Sequence, residues 1–429
     1  GNVLPFVNQA AASLEFTAGT LTMSQCRICG SVIKPFMSFG KMPIANGFLT
    51  SDGFSEEYFF ELAPAICANC SMVQIIEQPD PARMFHENYA FFSGTSKYMQ
   101  VHFREFATSI QDRHLSGAAN PFVVELGSND GIMLRNFAAQ NIAHLGIEPS
   151  RNVAEVAQAE GVNTICEFFG ETLAKKIVGE YGQADVLLAA NVMCHIPDLN
   201  GVAMAAHTLL KPGGVMVFED PYLGDVVEKT SYDQIYDEHV FVFCALSVVN
   251  AFGRHDFELV DVEPQVTHGG SMRYTLAKKG AKQPGKAVAE RIARETQLGL
   301  GRAETFERFR ENCEASRQQL MTVLEDLRTK GAKVAGYGAT SKSTTVMNYC
   351  GITPDHISYI SDTTPTKQGK YSPGTHVPIK PYEDFVADYP EYAVLFAWNH
   401  SREIMEKEQG YKAAGGKWIN FVPKVTVEE

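Results

Sequence analysis

The residues Val-Val-Glu-Leu-Gly-Ser-Asn-Asp-Gly at 123–131 constrain this chain more than any other stretch. The run 122–126 is largely apolar and holds two β-branched side chains, which suits a strand buried on both faces. Gly127 and Gly131 bracket a polar turn, and 132–139 reads as a helix. Glycines between a strand and a helix let a ligand approach the backbone at the strand's carboxyl end. The spacing is Gly-x-Asn-x-Gly and lacks the close Gly-x-Gly pair of a dinucleotide site. The turn therefore marks a candidate nucleotide-type cofactor site, although a plain tight connection would use the same residues.

The chain then alternates in the βα manner. Residues 144–148 form an expected second strand ending in Gly146-Ile-Glu-Pro149. Glu148 lies about 20 residues past the glycine turn, where an acidic residue binds the ribose hydroxyls of a nucleoside cofactor. A carboxylate at a helix start is the plainer use of the same position. A helix over 151–160 stops at Gly161. The strand 184–190 ends in Asn191-Val-Met-Cys-His195. A helix over 203–210 and the turn Lys211-Pro-Gly-Gly214 lead into a strand over 215–219.

Before this region stand Cys26-Arg-Ile-Cys29 and Cys67-Ala-Asn-Cys70. Two such knuckles supply four thiolates to a tetrahedral Zn²⁺ and leave no open position, so the metal is structural. Two redox dithiols are the competing reading, but no thioredoxin-like βαβ pattern flanks either pair. The loop 87–98 mixes aromatics with Tyr89, Ser93, Thr95 and Ser96 around a glycine, the composition of a lid or of plain core.

After the strand at 215–219 comes Gln234-Ile-Tyr236-Asp-Glu238-His239. A histidine beside carboxylates can act as a general base, with Glu238 orienting the imidazole and Tyr236 donating to a developing oxyanion. Solvent-facing charges on a helix would look similar. His268-Gly-Gly270-Ser271-Met-Arg273 offers backbone amides and a guanidinium to an anion, or forms an ordinary hairpin turn. Residues 281–330 read as two helices broken near Gly299-Leu-Gly301, without a persistent heptad. The last region opens with a strand at 333–337 and then Gly338-Ala-Thr-Ser341-Lys342-Ser343. Ser341 replaces the second glycine of the phosphate loop of NTPases, which excludes hydrolysis of that kind. A strand, a turn and a Ser/Lys helix start still suit a diphosphate. Lys367 and Asn399 add polar groups at later strand ends, in a second, smaller doubly wound sheet.

Composition narrows the partners. A net charge of −13 over 429 residues argues against nucleic acid and anionic membrane surfaces. No apolar run approaches the roughly 20 residues of a membrane span. Residues 1–22 lack the basic start of a signal peptide. Nine cysteines, an odd number, fit a reducing cytoplasm better than a disulfide framework.

The order of strand, glycine turn, acidic strand end, Asn191/His195 and Lys-Pro-Gly-Gly resembles the class I S-adenosylmethionine (SAM) methyltransferases. Together with the paired Cys-x-x-Cys, Gln-Ile-Tyr-x-Glu-His and Gly-Tyr-Gly-Ala-Thr-Ser-Lys, it resembles the zinc-containing sugar C-methyltransferases of antibiotic deoxysugar pathways, the C-3′ type above all. The resemblance implies an α/β chain with a tail at 1–22, a four-cysteine zinc domain at 23–85, a SAM domain at 86–280, a helical linker at 281–330 and a Rossmann-like C-terminal domain at 331–429. It implies SAM as donor and S-adenosylhomocysteine as product, held by Glu125, Gly127, Ser128, Asn129, Asp130, Gly131, Glu148, Phe168 and Asn191. It implies a dTDP-linked 4-keto-deoxysugar as acceptor, with or without a 3-amino group, met by His268, Gly270, Ser271, Arg273, Ser341, Lys342, Lys367 and Asn399. His239 would be the base, with Tyr236, Glu238, His195 and Tyr89 around it. The chain would act as a monomer or small homo-oligomer. Two other readings compete: an NAD-dependent nucleotide-sugar oxidoreductase or epimerase, and a zinc-ribbon adaptor without activity.

Overall fold

The structure is a computed structural model that describes residues 23–84 and 96–428. The Cys-x-x-Cys pairs sit in two small hairpins. The first joins β1 (Ser24–Gln25) to β2 (Val32–Ile33), antiparallel. Strands β3 (Lys41–Pro43) and β4 (Phe59–Glu61) pair in the connecting segment. The second hairpin joins β5 (Pro64–Ile66) to β6 (Val73–Ile75). Strands of two or three residues cannot enclose a core of their own. The module leans instead on the rest of the chain: Phe36 packs against Phe306 and Phe39 against Tyr349, each at 5.0 Å between ring centroids.

The central sheet holds β7 (Phe122–Leu126), β8 (Ala143–Ile147), β9 (Thr164–Ile165), β10 (Ala184–Ala190) and β11 (Leu210–Pro221), all parallel. The short β12 (Phe241–Val242) leaves this sheet and pairs with β6. Strands β13 (Phe257–Gln265) and β14 (Ser271–Lys278) complete the order β13-β14-β11-β10-β7-β8-β9, with β14 antiparallel to both neighbours. All five residues of β7 are buried, as the apolar run requires.

Several boundaries differ from the expected ones. The helix read over 132–139 is regular only at Arg135–Ala138, because the chain is still turning out of the glycine loop at 131–134. Lys211-Pro-Gly-Gly214 lies inside β11, as the irregularity between the Ala184–Leu210 and Val186–Val215 pairings. The linker is two helices, Lys286–Leu298 and Ala303–Thr329, broken at Gly299, whose φ of 73° caps the first.

The third sheet contains β15 (Val334–Tyr337), β16 (Ile360–Ser361), β17 (Ile379–Lys380), β18 (Tyr392–Leu395), β19 (Lys417–Asn420) and β20 (Thr426–Glu428). The order β17-β16-β15-β18-β19-β20 is parallel except at β20, so its strand order reverses between β15 and β18. Among the described residues no helix is long and apolar enough to cross a membrane.

Candidate active site

A cavity opens at the carboxyl ends of the central strands, beside the point between β7 and β10 where the strand order reverses. Ligands bind open α/β sheets at this position. Gly127, Asn129, Glu148, Phe168, Asn191 and His195 all line it. So do His268, from the turn between β13 and β14, and Met99 and Phe103, from the helix Lys97–Ile110. Glu125, Ser128, Asp130 and Gly131 stand outside its wall. The first three are buried behind the turn. A Cβ on Gly131 would meet the Val162 side chain at 2.8 Å, so that glycine serves close packing. Gly127 has φ of 59°, and a Cβ there would reach Val192 at 2.4 Å.

Glu148 puts a buried carboxylate on the wall of the cavity. Both Glu148 oxygens accept backbone N–H groups, from Ser150 at 2.8 Å and Asn129 at 2.9 Å. Burial raises the Glu148 pKa and these bonds oppose the rise. Burial also holds Glu125 well above the usual carboxylate range, with the charges of Glu148 and Asp130 adding to it. The Asn191 Oδ1 is buried without a hydrogen-bond partner among the described residues, at a residue that lines the cavity. A ligand donor there satisfies it.

His239 stands behind this cavity. Its Nδ1 lies 2.7 Å from the Gln234 carbonyl and its Nε2 lies 2.9 Å from the Tyr236 hydroxyl. A carbonyl only accepts, so Nδ1 carries the proton and Nε2 presents its lone pair. Burial pushes the imidazole pKa well below the usual value, and His195 and Lys342 push the same way, so the ring is neutral. The His195 ring stacks on it at 5.4 Å and lines the cavity itself. Burial takes His195 to about 4. The expected orienting role of Glu238 is corrected by this geometry: the imidazole is oriented by Gln234. Glu238 instead accepts from the Asn46 side chain at 2.7 Å, and burial lifts its carboxyl to about 8. Tyr89 lies outside the described residues.

The expected acceptor contacts divide. Ser341 opens the helix Ser341–Cys350, capped by Thr340, and Lys342 beside it is buried with its Nζ 3.4 Å from the His268 carbonyl. Arg273 is not a free cation. Its guanidinium donates to Glu219 Oε2 at 3.0 and 2.9 Å and lies 3.6 Å from the Phe106 ring centroid. The Ser271 hydroxyl donates to the Thr267 carbonyl, and Lys367 donates to the Ala339 carbonyl at 2.7 Å. Gly270 and Asn399 line a second cavity, whose other walls include Asp225, Lys229, Trp398 and Asn420. Backbone demands and buried carboxylates compete for these groups, and motif reading does not see that competition. It also missed Met99, Phe103, Asn46 and Gln234. Only the apolar spacing of 99, 103 and 106 hinted at the first two.

The four cysteines Cys26, Cys29, Cys67 and Cys70 converge, with all sulfurs within 4.8 Å of one another. Cys26–Cys70 and Cys29–Cys67 are 3.6 and 3.5 Å apart. A zinc with Zn–S of about 2.3 Å places tetrahedral sulfurs about 3.8 Å apart, so the set fits the metal.

The strand order, the cavity at its reversal and the acidic end of β8 define a class I SAM-dependent methyltransferase. The comparisons agree. Family profiles described as "C-methyltransferase C-terminal domain", "Methyltransferase domain" and "Putative zinc binding domain" match residues 266–423, 66–262 and 26–85. The C-methyltransferase NovU of Streptomyces niveus is 31% identical over 94% of this chain and 97% of its own length. The chain belongs to this C-methyltransferase family, with SAM as its methyl donor and zinc in its N-terminal module. A ubiquinone biosynthesis O-methyltransferase of Acinetobacter baylyi is 34% identical over 25% of this chain and 46% of that protein. A SAM-dependent methyltransferase structure from Anabaena variabilis is 16% identical, covering 41% of this chain and 84% of that one at a TM-score of 0.33, and adds nothing to the assignment.

Proposed function

We propose that the chain methylates a carbon next to the ketone of a dTDP-linked 4-keto-deoxysugar, C-3′ in the first instance. The observation that carries this reading is the neutral His239, whose Nε2 lone pair sits beside His195 on the wall of the donor cavity. SAM supplies the electrophilic methyl group when bound. The chain's own task is to make the nucleophile. A carbonyl acidifies the neighbouring C–H, so a neutral imidazole removes that proton if the enolate oxygen is stabilised. In this step the Tyr236 hydroxyl, which donates to His239 Nε2, turns to the enolate oxygen and frees the lone pair that takes the proton from carbon. Lys342, buried beside His268, gives this otherwise acidic chain a local cation for the diphosphate. Nine cysteines, four of them in the zinc set and none paired in a disulfide, suit the reducing cytoplasm for this step of antibiotic deoxysugar assembly.

Incubating the protein with SAM and a panel of dTDP-4-keto-deoxysugars, followed by mass spectrometry and NMR, tests the proposal. A gain of one methyl on carbon at C-3′ supports it; methylation at C-5′ moves the site of attack. No methyl transfer and no solvent deuterium exchange with any member of the panel would overturn it. For the donor, Glu148→Ala leaves two backbone N–H groups without their acceptor and removes the ribose partner. We expect SAM affinity by calorimetry to fall roughly 10-fold or more, the range of one or two charge-assisted hydrogen bonds.

A further inference from the structure

The four thiolates fold a small module, but the module does more than fold. Directly after Cys70, β6 pairs with β12, so that Phe241 faces Gln74 and Val242 faces Val73. Ile75 also donates its N–H to the Val240 carbonyl at 3.0 Å, and Val240 is the residue next to His239. Gln74 reaches back from the same strand. Its Nε2 lies 3.1 Å from the Cys26 sulfur, and its Oε1 accepts from the Arg27 N–H. A short path of strand and side-chain bonds therefore runs from the metal thiolates to the base.

A second path comes from the loop after β3. The Ala45 N–H donates to Asp237 Oδ1 at 2.9 Å, and the Asn46 side chain donates to Glu238 Oε1. The Ala45 carbonyl accepts from Thr344 at 2.8 Å, and Thr345 donates to the Ile235 carbonyl at 2.8 Å. The segment 235–242 is thus held by the zinc module on one side and by the helix Ser341–Cys350 on the other.

We propose that the zinc module is the template for the catalytic base, with Asn46 and Gln74 as positioning residues that fix where His239 stands behind His195 and the donor cavity. This rests on the reading of His239 as the base. A buried base held by its neighbours loses rate steeply with displacement, by up to about 100-fold for 1 Å.

Asn46→Ala is the direct test, since residue 46 touches none of the thiolates and the change leaves all four in place. Zinc content and SAM affinity should match the unaltered protein. The kcat for methyl transfer should fall roughly 10-fold with little change in acceptor KM, as for a displaced base. Burial and the Asp237 charge lift Glu238, and Asn46 and the Lys367 charge pull it down, so losing the Asn46 bond should also move one limb of the pH profile upward. Asn46→Gln, which keeps the amide donor, should recover part of the rate. Gln74→Leu is the second variant, scored the same way, with solvent deuterium exchange into the acceptor as the readout of base position. Full turnover and exchange in both variants, at full zinc content, would overturn the proposal. Loss of SAM binding in step with turnover would overturn it too, because the module would then be supporting the whole fold. If His239→Asn leaves turnover intact, it is the reading of the base that fails, whatever the module variants do.

Discussion

His239→Asn should reduce turnover by about 10² to 10⁴, the contribution of a positioned general base, while SAM affinity stays close to that of the unaltered protein. His239 is 2% exposed and lines no part of the donor cavity itself, so the substitution leaves the cofactor wall as it was. Asparagine can still reach the Gln234 carbonyl, yet it offers no basic lone pair near neutrality. Solvent deuterium exchange at the acceptor carbon should disappear with methyl transfer, because both need the same proton removed. The pH profile of the unaltered protein carries a sign. Burial lowers the imidazole pKa, and a base works only when deprotonated, so its acid limb should lie below the ordinary histidine value of 6.5. An acid limb above 6.5, or a variant that exchanges deuterium at the normal rate, would sink the role given to His239. Loss of SAM binding in the variant would show instead that the ring shapes the donor site.

The contrast between the donor and acceptor sites shows what a sequence can reveal. The donor cavity was readable because one backbone event creates it. A buried strand, a turn at Gly127 and an acid at the next strand end all follow from local spacing, and Gly127, Asn129 and Glu148 line one cavity, with Asn191, which the family resemblance pointed to, on the same wall. The zinc set was readable for the same reason, since each knuckle is a local turn. The base segment was readable in composition but not in wiring. Glu238 stands next to His239 in sequence, yet its partner is Asn46, 192 residues away. Arg273 misled in the same way: an arginine after two glycines looks available for an anion, and only the fold brings Glu219 against it. Partners far apart in the chain, even on adjacent strands of one sheet as Glu219 and Arg273 are, leave no mark in the local pattern of either segment.

Arg273 offers the sharpest test of that difference. It is 7% exposed, and its guanidinium is bonded to Glu219 and laid over Phe106. Glu219 also accepts from His102 at 2.6 Å and from Thr267 at 3.2 Å. Arg273→Met removes the guanidinium charge beside a buried carboxylate, a change that costs about 3–5 kcal/mol. The thermal midpoint should drop by several degrees. Arg273→Met with Glu219→Gln should regain part of the loss, because the uncompensated charge goes with it. Burial raises the Glu219 pKa, but the His102 bond and the charges of His102 and Arg273 outweigh it and hold the group below 4.5. A depressed carboxylate stabilises the fold above its unfolded pKa, so this contribution is complete above about pH 5 and fades as pH falls through the lowered value. Calorimetry at stepped pH should show the single variant and the unaltered protein converging only in that acid range. If Arg273→Met left the midpoint unchanged and raised only the acceptor KM, the arginine would be a substrate ligand and its pairing with Glu219 incidental. Otherwise the diphosphate of the proposed acceptor needs a cation other than Arg273, and on that proposal it is Lys342, buried beside the His268 turn.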